Sequence, residues 1–239
     1  MRTRIAAGIA FAATLAAGAV IAAPGRTHAT TGFQAYSGTG WKIATGNGMR
    51  YLSGSPWNIV FYDTGSRTAL TEHAKRTAYE LKRHTGVTFY VTTSINKGTT
   101  TCPTGRVIIM RLTSTVTRSS ATQCHTATGA ADGSRATFAL TNWQNLKLST
   151  SNEIYRRKVV SHELGHSVGL AHPSTWTADP SPLMRGDVWG GYKTVTYAAQ
   201  YTPQDVNGLK NLRANASKLP PPTALTTVVN GAQVHEAHR

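Results

Sequence analysis

Acidic side chains are scarce in this chain of 239 residues: 10 Asp and Glu stand against 25 Lys and Arg, a formal net charge of +15. No recognisable calcium loop can be found among so few carboxylates, so calcium is possible but not indicated. Cysteine is scarcer still. Cys102 and Cys124 are the only two, with no short metal-binding spacing between them, which argues against a thiolate metal site and leaves one disulfide as the expectation for an exported chain. Beyond residue 23 no hydrophobic run is long enough to cross a bilayer. No internal repeat is visible, which argues against solenoids and propellers. The basic residues are scattered, with small groups only at Arg156-Arg157-Lys158 and Lys82-Arg83, and no helix-turn-helix or RNA-binding motif accompanies them. The charge therefore reads as a solvated basic surface that favours anionic partners, without a specific nucleic-acid partner.

What the chain does have begins at its N-terminus. Arg2 and Arg4 precede an uninterrupted run of Ala, Ile, Val, Leu, Phe, Gly and Thr from residue 5 to residue 23. Small residues at Ala22, Ala23 and Ala29 offer cleavage points, so residues 1–29 read as a secretory signal peptide and the protein as secreted. A membrane anchor is the competing reading, weakened by the alanine and glycine content. Roughly 210 residues then remain, enough for one domain with a sizeable core and no membrane span. Residues 30–55, rich in Gly, Thr and Ser, read as an irregular N-terminal arm, residues 56–215 as the folded domain, and residues 216–239, with Pro220, Pro221 and Pro222, as a flexible tail.

Within the domain, apolar residues 57–62 read as a first strand, bounded by Pro56 and by Asp63, Thr64 and Gly65. Leu70, Ala74, Ala78 and Leu81 share one side of a helix over 68–84, and Gly86 stops it. Residues 87–93 and 106–112 read as two more strands, so strand, helix and strand form a parallel crossover of an α/β unit. Residues 113–134 read as a polar loop, and 136–141 as another strand. Further on, Thr202 as N-cap, Pro203 at the first helical position and Asp205 in the first turn signal a C-terminal helix.

The richest stretch runs from residue 162 to residue 172. Thr150 and Glu153 are spaced as a capping box, and Ile154, Val159, Val160, Leu164 and Val168 give the following helix a broad apolar stripe. On that helix His162 and His166 lie one turn apart and can address one metal ion. Glu163 follows the first histidine, which places its carboxylate beside the ion, where a general base belongs. A third ligand has to arrive from another direction, so the helix must stop. Gly169 can stop it, because glycine takes positive φ without steric cost, and the chain can return with His172. Three neutral imidazoles leave a zinc ion its full double charge and an open fourth position for water, whose pKa falls to about 7 in such sites.

These residues match H-E-x-x-H-x-x-G-x-x-H, and the chain resembles the metzincin zinc endopeptidases. The resemblance implies an α/β (α+β) metzincin-type zincin fold: a twisted mixed sheet above the helix that carries H-E-x-x-H, and a small C-terminal subdomain below the cleft. It implies one catalytic Zn²⁺ held by His162, His166 and His172, Glu163 as general base, and Met184 as the methionine turn, a floor to the site and not a ligand. In the family an antiparallel edge strand pairs with the substrate backbone, so an extended peptide or protein is the implied substrate. The strand at 136–141 falls where metzincins have either that edge strand or the last strand before the zinc helix. The phrase Thr202, Asp205, Gly208 is similar to the C-terminal helix of matrixins. Pro173 is similar to serralysins, whose glycine-aspartate repeats are missing here. Snapalysins use aspartate as third ligand, where this chain has His172. Astacins and serralysins carry a tyrosine two residues after the methionine, where this chain has Gly186. No subfamily is assigned.

The implied activity is a secreted, monomeric zinc endopeptidase. Two alternatives stand beside it: a non-catalytic module that binds anionic polymers and keeps a structural zinc, and a zinc hydrolase of a cell-wall amide. Trp176 and Trp189 are expected to pack against the domain or line the pocket beside the metal, and Tyr192 and Tyr197 are candidate cleft residues. His28, His73, His84, His125, His235 and His238 read as surface histidines.

Overall fold

The structure is a computed structural model and describes residues 34–37, 40–54, 56–145, 150–173, 182–186, 200–218 and 233–235. The expected signal segment, Trp176, Trp189, Tyr192 and Tyr197 lie outside the described residues. The elements in chain order are β1 (Tyr36–Ser37), β2 (Trp41–Ile43), a 3-10 turn (Thr45–Asn47), β3 (Trp57–Phe61), α1 (Thr64–Thr85), β4 (Phe89–Ile95), β5 (Val107–Thr113), β6 (Ser120–Thr122), β7 (Cys124–His125), β8 (Ala131–Ala139), α2 (Leu140–Asn145), α3 (Thr150–Val168), β9 (Leu170–Ala171), α4 (Pro203–Asn215) and β10 (Gln233–His235).

The chain is a mixed α/β fold around one mixed sheet. Its strand order is β10-β6-β8-β5-β3-β4, with β7 also on β8. The strands β4, β3, β5 and β8 are mutually parallel, whereas β6 and β7 run antiparallel to β8. Trp57, Ile59 and Phe61 on β3 are fully buried, as expected for a central strand covered on both faces. Phe61, Ile108, Met110 and Phe138 from the sheet pack in one cluster with Leu70 and Leu81 of α1 and Val160, Leu164 and Val168 of α3. Each such side chain contributes about 1.5–3 kcal/mol on burial.

The helix α1 starts four residues earlier than its apolar pattern announces. Asp63 supplies the cap, its carboxylate accepting from Ser66 N at 2.7 Å, and Gly86 ends the helix with φ 72°. The side chain of Thr150 lies outside the described residues, and the Glu153 carboxylate faces Arg157, Arg156 and His73 at 3.5, 3.7 and 3.8 Å.

The stretch 113–134 is a correction to the sequence reading, because it holds β6, β7 and the start of β8 instead of a loop. Its small polar residues carry no apolar alternation, yet Ser120, Thr122, Gln123 and Ser134 are all buried. Tertiary contacts hold two of them: Ser134 Oγ meets Ser167 Oγ of α3 at 2.8 Å, and Gln123 Nε2 donates to Leu170 O at 2.7 Å. A side chain at Gly133 would collide with the Pro103 carbonyl. A disulfide joins Cys102 to Cys124 across a sequence separation of 22. The strand β8 is parallel to β5 and precedes α2 and α3, so the antiparallel neighbours are β6 and β7.

The N-terminal arm is also more regular than its composition suggests. The strand β2 pairs with β1 on one side and with β9 on the other, in register Lys42↔Ala171 and Ile43↔Leu170. The arm thereby holds the segment that immediately precedes His172. Among the described residues no helix is long and apolar enough to cross a membrane.

Candidate metal centre

Two imidazoles come from α3 and one from the segment after it. His162 and His166 are fully buried one turn apart, which follows from the helical repeat. Gly169 has φ 118° and its N–H donates to His166 O at 3.0 Å, so the helix ends there. Ala44 N donates to Gly169 O at 2.9 Å, and β2 then fixes β9 by pairing. The chain returns and presents His172 to the other two rings.

The three Nε2 atoms converge. His162 and His166 are 2.9 Å apart, His166 and His172 3.0 Å, and His162 and His172 3.1 Å. Tautomers are fixed from behind. His162 Nδ1 donates to Leu183 O at 2.8 Å and His166 Nδ1 to Leu170 O at 2.9 Å. With Nδ1 protonated, both Nε2 atoms present lone pairs to the same point, an arrangement that repels itself unless a cation sits between them. A tetrahedral zinc with bonds of about 2.0–2.1 Å holds its nitrogens about 3.3 Å apart. The observed triangle is slightly tighter and of the right shape, so the three histidines could hold a metal ion.

Burial pushes all three imidazoles towards neutrality. It lowers His162 well below 6.5, His166 to about 3 and His172 to about 4, with the neighbouring rings adding to the effect at His162 and His166 and Lys42 at His172. Neutral imidazole is the ligand form. Glu163, next to His162 on α3, is fully buried as well.

Of the supporting residues, Met184 and the helix start at Thr202 and Asp205 were singled out in the sequence, whereas Tyr201 and Gln123 were not. Met184 is buried in the turn Pro182–Arg185, where Arg185 N donates to Pro182 O at 3.2 Å. Its sulfur lies against α3 at Gly165, where an added methyl group would collide with it. Asp205 of α4 holds this turn, its carboxylate accepting from Leu183 N at 2.7 Å and Met184 N at 3.2 Å. The same carboxylate accepts from Thr202 N and Thr202 Oγ1 at 2.9 and 2.7 Å. Tyr201, also buried, donates its hydroxyl to Ser161 O at 2.7 Å. Gln123 was missed altogether. Its Nε2 donates to His166 O at 3.1 Å and to Leu170 O at 2.7 Å, and its Oε1 accepts from Asn47 at 2.7 Å. The carbonyl that orients His166 is thus itself oriented by Gln123, a support typical of histidine metal sites. Only a polar residue in a run of small ones marked it. Gly186 lies against the third ligand, since a methyl group there would stand 3.1 Å from His172 Nδ1.

Two expectations about the surface need correction. His73 and His125 are buried, each only 7% exposed. His73 packs edge-on against Trp143 at 5.1 Å, and the His125 ring fills the space beside Gly48. The basic group at Arg156 and Lys158 is buried too. Arg156 lies 5.5 Å from the Trp143 ring centroid and donates to Trp143 O at 3.1 Å, a stacked arrangement that suits its planar guanidinium. Lys82 and Arg83 are exposed as expected.

No family model matches the chain, and no curated protein matches it. Among solved structures it is similar to the GM1-bound form of the ECX AB5 holotoxin, at 13% identity over 75% of this chain and 87% of that chain, with a TM-score of 0.41. The functional reading therefore rests on the site.

Proposed function

We propose that this protein is a secreted zinc-dependent endopeptidase of the metzincin type. The observation that carries the reading is the convergence of three Nε2 atoms within 3.1 Å of one another, with Glu163 buried beside the first of them. The chain order of these residues, the turn at Gly169 and the methionine beneath α3 agree with the metzincin pattern. The antiparallel strand β6 beside β8 is the kind of strand on which such enzymes seat an extended peptide, and here β10 pairs with its outer side. An N-terminal segment of signal-peptide composition and a disulfide both suit an oxidising, extracellular setting.

When bound, zinc would supply the Lewis acidity that makes water acidic at neutral pH and polarises a peptide carbonyl. The chain's own residues supply the rest. The Leu183 and Leu170 carbonyls keep His162 and His166 in one tautomer and one orientation. Glu163 accepts a proton from the attacking water and delivers it to the departing amine.

Glu163→Ala should keep zinc and lose peptide turnover by about 100-fold or more, the scale of a lost general base. His162→Ala should lose both. Zinc stoichiometry and turnover measured on the two variants separate the roles; parental turnover in Glu163→Ala would sink the mechanism.

A further inference from the structure

We infer that the chain's own C-terminal segment, Gln233–His235, occupies the peptide-accepting edge beside the metal centre and competes there with substrate, an inference that rests on the peptidase reading above. The strand β10 pairs antiparallel with β6 in the register Gln233↔Thr122, Val234↔Ala121 and His235↔Ser120. Among the described strands, β6 has β8 on its other side, so without β10 its outer backbone groups would form an open edge. Unpaired edges of this kind accept extended segments.

This edge belongs to the metal centre. The residue after β6 is Gln123, whose side chain donates to His166 O and Leu170 O at 3.1 and 2.7 Å. A segment lying along Ser120–Thr122 is therefore one residue from the clamp on the second histidine. The opposite edge, β4, lies on the far side of β8, β5 and β3 and cannot serve the same site. The same backbone N–H and C=O groups of β6 cannot pair with two strands at once, so tail and substrate exclude one another.

The tail is tethered, with fourteen residues between Lys218 and Gln233. A tethered competitor at an effective concentration of about 1 mM raises the apparent KM roughly tenfold if its intrinsic Kd is about 0.1 mM.

The test uses the full-length, zinc-loaded chain and its Gln233→Pro/Val234→Pro double variant, because successive residues of a strand point their N–H groups to opposite sides, so one of the two prolines removes a bond to β6. With an extended fluorogenic peptide, the variant should show a KM about tenfold lower at unchanged kcat, and faster amide exchange at residues 120–122. A synthetic peptide of residues 231–239, added to the variant, should raise its KM again as a competitive inhibitor. Equal KM in the two proteins, with both cleaving, overturns the inference whatever the exchange shows, and leaves the peptidase reading intact. Absence of cleavage from both proteins, each folded and holding zinc, overturns the peptidase reading and the inference with it.

Discussion

The carboxylate of Asp205 shows how one buried side chain sets the geometry of a site it does not enter. It accepts from Leu183 N, and Leu183 O in turn accepts from His162 Nδ1. Burial raises Asp205 to about 6 from its usual 3.8, against the pull of its donors. Between those values the folded chain holds a proton that the unfolded chain has released. The group therefore favours folding most below pH 3.8, and that contribution is lost as pH rises to about 6. Denaturation free energies of the native chain relative to Asp205→Asn, measured with metal chelated, should fall from about pH 4 to 6 and stay flat above about 7. A difference that rises over the same interval would contradict this. At this scale the sequence was most informative where chemistry is local: His162, Glu163, His166, Gly169 and His172 are legible because helical spacing and a glycine stop dictate their relations. Gln123 and Tyr201 were illegible, because each acts on a carbonyl distant in sequence.

Among the elements, the turn from α3 into β9 decides whether the third histidine arrives. Gly169 takes φ 118°, and a methyl group there would lie 3.1 Å from Leu212 Cδ2 and 3.3 Å from Met49 Cε. Gly169→Ala should therefore destabilise the protein by about 1–3 kcal/mol and weaken zinc binding as His172 is displaced. Chemical denaturation and a zinc competition titration would check both; an unchanged zinc affinity would show that β2 alone holds His172. Strongly apolar strands such as β3 and β5, and the periodic helices α1 and α3, could be read in advance. The strands β6 and β7 could not, because Ser, Ala, Thr and Cys are buried there by their neighbours and show no pattern of their own. The same holds for β2, whose pairing with β9 spans more than a hundred residues of sequence and leaves no local trace.

For the whole molecule, the mixed sheet, one disulfide and the N-terminal arm together brace one helix. The Cys102–Cys124 bond closes a loop with a sequence separation of 22 and fixes β7 next to Gln123. Replacing both cysteines by alanine should cost roughly 3 kcal/mol by loop-closure entropy, or about 6–12 °C in Tm for a domain of this size. A calorimetric scan with no shift would mean that pairing on β8 holds β7 unaided. The general α/β class was legible from the order of strands and helices, whereas the small sheet of β1, β2 and β9 was not, since its strands are two or three residues long. The most direct test of the proposed function is cleavage of unfolded casein and a mixed peptide library by the purified protein, before and after 1,10-phenanthroline and again once zinc is restored. A zinc endopeptidase gives cleavage that the chelator abolishes and zinc recovers. Cleavage indifferent to the chelator, or none from folded protein shown to contain zinc, would contradict it.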